Sequence, residues 1–214
     1  MEDPRLKDWH PLFERAFAIL ASAERSAGRF PWSFGGGTVL MLRHHHRYSR
    51  DVDIFVPDPQ SLGFLSPRLN EVAGDLTNDF DEQATYLKLR FPEGEIDFVA
   101  TGWLTHDPHV REDVLGHAVN VETSAEIVGK KLWYRADTFK ARDFFDLATV
   151  LERDPAALEP IAPLLREKGP PILARAEALR GALLEEFEAL ALPDRNRDFA
   201  GCVESIRRFV ERNS

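Results

Sequence analysis

Hydrophobic and polar positions along the chain sort into a run of short, distinct elements. Residues 4 to 28 place Leu12, Phe13, Phe17 and Leu20 on one helical stripe, and Gly28 closes it. A short apolar strand is predicted over 30–34. It leads into three glycines, and a helix is predicted from Thr38 to about His45. The segment 48–56 alternates as a strand and is stopped by Pro57 and Pro59. Ser66-Pro67 predicts a helix start, with Leu69, Val72 and Leu76 on its buried face. Thr85, Leu87, Leu89 and Phe91 then alternate with Tyr86, Lys88 and Arg90. The turn Pro92-Glu93-Gly94 and the strand 95–100 complete an antiparallel pair. A further strand is predicted over 114–121. Thr123 to Glu126 has the form of a capping box and opens a helix. A helix over about 140–151 puts Asp143 and Asp146, three apart, on one face. Pro155 and Pro170-Pro171 punctuate the C-terminal third, where helices are predicted over 172–192 and 194–212. The sum is an α+β chain: a twisted mixed sheet of about four to six strands flanked by helices, then a C-terminal helical subdomain. The predicted boundary divides a core, 1–121, from a helical region, 122–214.

Composition narrows the setting. Hydrophobic residues make up 43% of the chain and include 15 Phe, enough for a sizeable core. No apolar run has the length of a membrane span or the form of a secretory leader, and a lone cysteine, Cys202, has no internal partner. These features predict a cytoplasmic protein with no membrane association. The net charge of −9 argues against unspecific coating of nucleic acid. Basic residues nevertheless gather at Arg43, Arg47 and Arg50, and again at Lys130, Lys131, Arg135, Lys140 and Arg142. Such a distribution suits a bound polyphosphate and permits an RNA end beside it.

The chemistry concentrates in Gly35-Gly36-Gly37-Thr38 and Asp51-Val52-Asp53-Ile54. On a strand Asp51 and Asp53 project to the same side while Val52 and Ile54 enter the core. Adjacent carboxylates repel unless a cation lies between them. Mg²⁺ binds one or two carboxylates and completes its shell with water and substrate phosphates. Backbone N–H groups at a glycine-rich helix start cradle phosphate oxygens. The order of glycines, short helix, basic turn and acidic strand therefore points to nucleotide chemistry, although either short pattern alone is common in turns and strand edges. The run His44-His45-His46 is not a zinc site, because successive helical side chains point roughly 100° apart.

The stretch from Phe34 to Val56, FGGGTVLMLRHHHRYSRDVDIFV, resembles the nucleotidyltransferase signature of the DNA polymerase β superfamily. More narrowly it is similar to the AbiEii/AbiGii toxin family and its MenT-like relatives, in which a glycine element precedes a His-Arg-x-Ser-x-Asp-h-Asp-h run, here His46 to Ile54. A second block, Glu126 to Leu132 and Arg142 to Leu147, resembles the family's Lys-Leu and Arg-Asp-h-h-Asp-Leu elements. The resemblance implies a Mg²⁺-dependent nucleotidyltransferase that moves a nucleoside monophosphate from an NTP to an acceptor. It implies one or two Mg²⁺ held by Asp51 and Asp53, with Asp97 as third carboxylate; the alternation of its strand would also put Asp97 on a wet face. Gly36, Gly37 and Thr38 are implied as phosphate ligands, and Lys131, next to Leu132, as the lysine that meets the triphosphate. Asp146 or Asp143 is left to orient Lys131 or Arg142. Arg47 and Ser49 serve phosphate binding or brace the acidic strand. GTP or a pyrimidine triphosphate as donor, tRNA as acceptor and an antitoxin as protein partner are further implications. The alternatives are a small-molecule or protein nucleotidyltransferase and a catalytically silent nucleotide-binding module.

Overall fold

The computed structural model describes residues 3–193 and 197–212. The chain divides into two compact units. The first takes in the residues up to Leu42, Ser49–Trp103 and His109–Glu122; the second takes in Arg43–Tyr48, Leu104–Pro108 and the residues from Thr123 onward.

The first unit holds one mixed seven-stranded sheet. Its strands are β1 (Ser33–Gly35), β2 (Val52–Val56), β3 (Phe80–Glu82), β4 (Tyr86–Phe91), β5 (Gly94–Ala100), β6 (His109–Val114) and β7 (His117–Glu122), in the order β3-β4-β5-β2-β1-β7-β6. Two parallel pairings, β2 with β5 and β1 with β7, sit among antiparallel ones. The first helix, α1 (His10–Ala27), buries Leu12, Phe13, Ala16, Ile19, Leu20 and Ala23, while Phe17 is only half-buried. A 3-10 turn, Pro4–Lys7, precedes it, so the predicted single helix is two pieces. Gly28, at φ 80°, ends it. Phe13 packs against Phe34 of β1 with ring centroids 5.1 Å apart, and Trp9 lies 5.7 Å from the same ring. α2 (Gly36–His44) follows β1 directly.

Three local expectations are corrected. The helix start at Ser66 is not there: Ser66 ends α3 (Ser61–Leu65), and α4 (Glu71–Leu76) begins after Asn70. The Asn70 carbonyl oxygen accepts from Ala73 N at 3.2 Å while its amide donates to Phe64 O and Ile19 O. That buried network outweighs the Ser-Pro signal, and Leu69 is left 74% exposed. The single strand predicted over 114–121 is the β6–β7 hairpin. Its two-residue turn, Leu115 (φ 54°) and Gly116 (φ 84°), has both central residues left-handed, the geometry that matches strand twist. The sheet accordingly exceeds the predicted size through β3 and β6.

The second unit is helical: α5 (Ser124–Arg135), α6 (Ala141–Arg153), α7 (Ala162–Ala178), α8 (Arg180–Glu188) and α9 (Phe199–Arg212). Thr123 caps α5 by accepting from Glu126 N at 3.2 Å. The reciprocal half of the predicted box is not made, because the buried Glu126 carboxylate accepts from Leu104 N and Thr105 N instead. Pro170-Pro171 lies inside α7, with both prolines exposed, rather than before a helix starting at 172. The helix predicted over 172–192 is broken at Leu179 between α7 and α8. The last helix begins at Phe199, and its predicted start at Asp194 lies outside the described residues. Phe139, Phe144, Leu147, Phe187, Phe199 and Ile206 form the core. Cys202 is buried there, and burial pushes its thiol up to about 12, leaving it inert as a nucleophile.

Candidate active site

Sheet register builds the acidic part of the site. Gly35 pairs with Asp53 across β1 and β2, Asp53 with Asp97 across β2 and β5, and Asp97 with Lys88 across β5 and β4. Residues paired in register project from the same face of a sheet. One row therefore runs Lys88, Asp97, Asp53, Gly35. The glycines are required by this row. A Cβ on Gly36, at φ 72°, would overlap the Asp53 carboxylate, and one on Gly35 would overlap the Glu122 carboxylate and the Phe55 ring. The glycine turn thus brings Asp53 against the N-terminus of α2, where unpaired N–H groups favour negative charge.

Burial pushes the Asp97 carboxyl up to about 6, and the neighbouring Asp53 charge adds to the effect while Lys88 opposes it. Lys88 Nζ stands 3.0 Å from Asp97 Oδ1 and 3.1 Å from Oδ2, and it also pairs with Glu95. Burial lowers the Lys88 pKa, but its bonds to Glu95 and Asp97 and their charges leave it raised. Asp51 lies one residue before β2 rather than within it, and its Oδ1 accepts from Glu95 N at 3.1 Å. The structure thus pairs Asp53 most directly with Asp97, while Asp51 anchors the start of β5. Thr38 is fully buried. Its hydroxyl donates to Asp51 O at 2.5 Å and lies 3.1 Å from the Ser49 hydroxyl, so Thr38 and Ser49 both brace the approach to the acidic strand. Gly37 occupies the first turn of α2.

The second unit contains a closed charge network. Arg47 grips Asp146 with Nε at 2.6 Å and Nη2 at 2.9 Å. Lys131 Nζ lies 2.5 Å from Asp143 and 2.8 Å from Asp146, and His46 Nε2 lies 2.7 Å from Asp146 Oδ1. All five residues are buried. Burial alone would push Asp146 up, but the charges of Arg47 and Lys131 and hydrogen bonds from His46 and Arg47 hold it well below the usual range. Burial would likewise raise Asp143, and Lys131 holds it down. His46 is lowered by burial, against the pull of Asp146, so it is neutral and donates from Nε2. Two cations thus face two carboxylates without net charge. Asp143 also accepts from Lys140 N at 3.1 Å and so fixes the start of α6. The neighbouring Lys130 pairs with Glu126 at 3.4 Å instead.

A family model for the AbiEii nucleotidyl transferase toxin of type IV toxin–antitoxin systems matches residues 18–212. The chain belongs to this family. No curated protein matches it. Among solved structures, an H. pylori protein provisionally named a nucleotidyltransferase superposes at TM-score 0.57 and 14% identity, covering 100% of this chain and 96% of the other. JHP933 from Helicobacter pylori superposes at 0.55 and 14%, covering 100% and 93%. MenT4, a nucleotidyltransferase toxin from Mycobacterium tuberculosis, superposes at 0.53 and 16%, covering 97% and 84%. At these identities the likeness is one of fold.

In this AbiEii-family chain the sequence motifs miss one residue of the acidic row, Lys88, and one beside it, Glu122. Glu122, at the end of β7, is fully buried, accepts from Ser33 Oγ at 2.9 Å and lies against Gly35. A single acid before the Thr123 cap carries no motif. Lys88 looks like the wet position of an alternating strand, and only register places it opposite Asp97. Among the described residues, no three His, Cys, Asp or Glu side chains form a ready-made metal cage. The donor set nonetheless suits a hard divalent cation: two carboxylates in register, one with its charge resisted by the other, beside a glycine helix start. No helix among the described residues is long and apolar enough to cross a membrane.

Proposed function

We propose that this AbiEii-family protein transfers a nucleoside monophosphate from an NTP to an acceptor hydroxyl, with Asp53 and Asp97 as the central carboxylates. The observation that carries this reading is the Asp53–Asp97 register pair, packed on the glycine start of α2. In the reaction the acceptor oxygen bonds to the α-phosphorus, the bond from that phosphorus to the pyrophosphate oxygen breaks, and the hydroxyl proton passes to a base. Asp97, in register with Asp53, is assigned as the base that takes that proton. Asp53, Asp97 and, from the start of β2, Asp51 would hold Mg²⁺, which supplies charge neutralisation at the transferring phosphoryl group. Backbone N–H groups of Gly36, Gly37 and Thr38 are assigned to the β- and γ-phosphates, with the Thr38 hydroxyl left to brace Asp51. Lys131 and Arg47, held by Asp143 and Asp146, are the second unit's own candidate contacts for anionic phosphate oxygens.

The proposed division keeps 1–121 as transferase core and 122–214 as a helical region. Family membership supports an antitoxin as protein partner; tRNA as acceptor and action in the cytoplasm, where NTPs and tRNA are found, are proposed from the sequence resemblance. The test is incubation with each of the four α-labelled triphosphates, Mg²⁺ and total tRNA. Label on RNA with one preferred triphosphate is the expected result. Label confined to a protein or small molecule replaces the acceptor, and no label with any triphosphate overturns the transferase reading.

A further inference from the structure

Lys88 belongs to no motif of the glycine–aspartate signature, yet it is the cation paired most directly with the acidic row. It sits opposite Asp97 in the β4–β5 register, spans both carboxylate oxygens at 3.0 and 3.1 Å, and pairs with Glu95 as well. Its side chain is 25% exposed and that of Asp97 24% exposed, so the pair stands at the edge of the solvent rather than in the core. A lysine at that depth keeps a flexible stem and can swing its ammonium into water. Around it lie Glu95, Asp97 and, on the next strand, Asp53 in register with Asp97. Asp51 faces the start of β5 through Glu95 N. Glu95 is also met by Arg90 Nε at 3.8 Å, whereas the Lys88 ammonium is the cation that spans Asp97. An ammonium and a divalent ion cannot both occupy the same oxygens of Asp97.

We propose that Lys88 is the resident counter-ion of the metal site: its ammonium holds Asp97 oriented until a divalent cation displaces it. The inference rests on the assignment of Asp53 and Asp97 as metal ligands. Lys88 is then a positioning residue that competes with the metal, and it sets a threshold concentration below which the site holds its own cation. Removing the competitor should tighten metal binding. Separating a partly exposed ion pair costs up to about 1 kcal/mol, or about fivefold in affinity.

The test is direct titration of the full chain with Mn²⁺, with free ion read by electron paramagnetic resonance, in the absence of nucleotide. Lys88→Met is expected to bind Mn²⁺ about fivefold more tightly than the unsubstituted chain, and Lys88→Arg, which keeps the charge, within about twofold of it. Asp97→Asn should weaken binding in either background. Lys88→Gln serves if Lys88→Met does not fold. Weaker or unchanged binding in the neutral variants, with Asp97→Asn still weakening it, overturns the counter-ion role and leaves the metal site standing. Binding that Asp97→Asn does not change overturns both, since the ion then sits elsewhere.

Discussion

At the scale of single residues, similar carboxylates have opposite uses. Asp53 stands in register with Asp97, whose ionisation its charge resists, whereas Asp146 is enclosed by Arg47, Lys131 and His46. Asp146→Asn removes the charge that two buried cations depend on, and a loss of about 3–5 kcal/mol of stability is expected by chemical denaturation. A loss under about 1 kcal/mol would show that the network is not stabilising. Gly36→Ala is strained twice, by φ 72° and by overlap with Asp53. The conformational part alone costs about 1–2 kcal/mol, and the overlap must displace Asp53, so both the melting temperature and transfer should fall. The histidines set a pH dependence whose sign is fixed. His46 and the half-buried His44 are lowered in the fold, first by burial. Below about 6.5 the unfolded chain binds protons that the fold refuses. Stability should therefore fall from pH 7.5 to 5.5, by at most about 1.4 kcal/mol per pH unit per histidine, and His46→Gln should flatten the slope. A profile that rises on acidification would contradict the neutral assignment. Asp143 and Asp146 act lower: their contribution is full above about 4 and is lost as pH falls through their depressed folded values.

Elements were legible where local chemistry decides them. The stripe on α1, the helix after the glycine run (which begins at Gly36 rather than at Thr38), the alternation of β4 and β5, and the Thr123 cap all follow from period and propensity. The features that escaped the sequence depend on contacts between distant residues. Asn70 became a cap because it reaches Ile19 O, and Lys88 acquired a partner because β4 pairs with β5 in one register. The β6–β7 hairpin was hidden because its turn carries Leu115 where Asn or Asp is the usual signal. That departure gives a prediction at this scale. Leu115→Asn places a residue tolerant of left-handed geometry at φ 54° and should stabilise the fold by about 0.5–1 kcal/mol in a denaturant titration. A destabilisation would mean that the leucine, 37% exposed, contributes packing that exceeds its strain.

For the whole molecule, family and fold agree: the AbiEii match spans residues 18–212, and the sheet of the first unit carries the acidic row on adjacent strands. The placement of Asp53, Asp97 and the glycines side by side was partly visible beforehand, since strand order and alternation bring them together, while the partner of each aspartate was not. The Asp51 carboxylate accepts from Glu95 N, a contact across strands that no local pattern announces. The measurement that tests the central claim most directly is transfer of α-labelled nucleotide by Asp53→Asn, run beside its thermal unfolding curve. The account predicts transfer lost by at least about 100-fold, with the melting temperature unchanged or slightly raised because one of two repelling carboxylates is neutral. Transfer within about threefold of the unsubstituted chain, in a variant that remains folded, would contradict it.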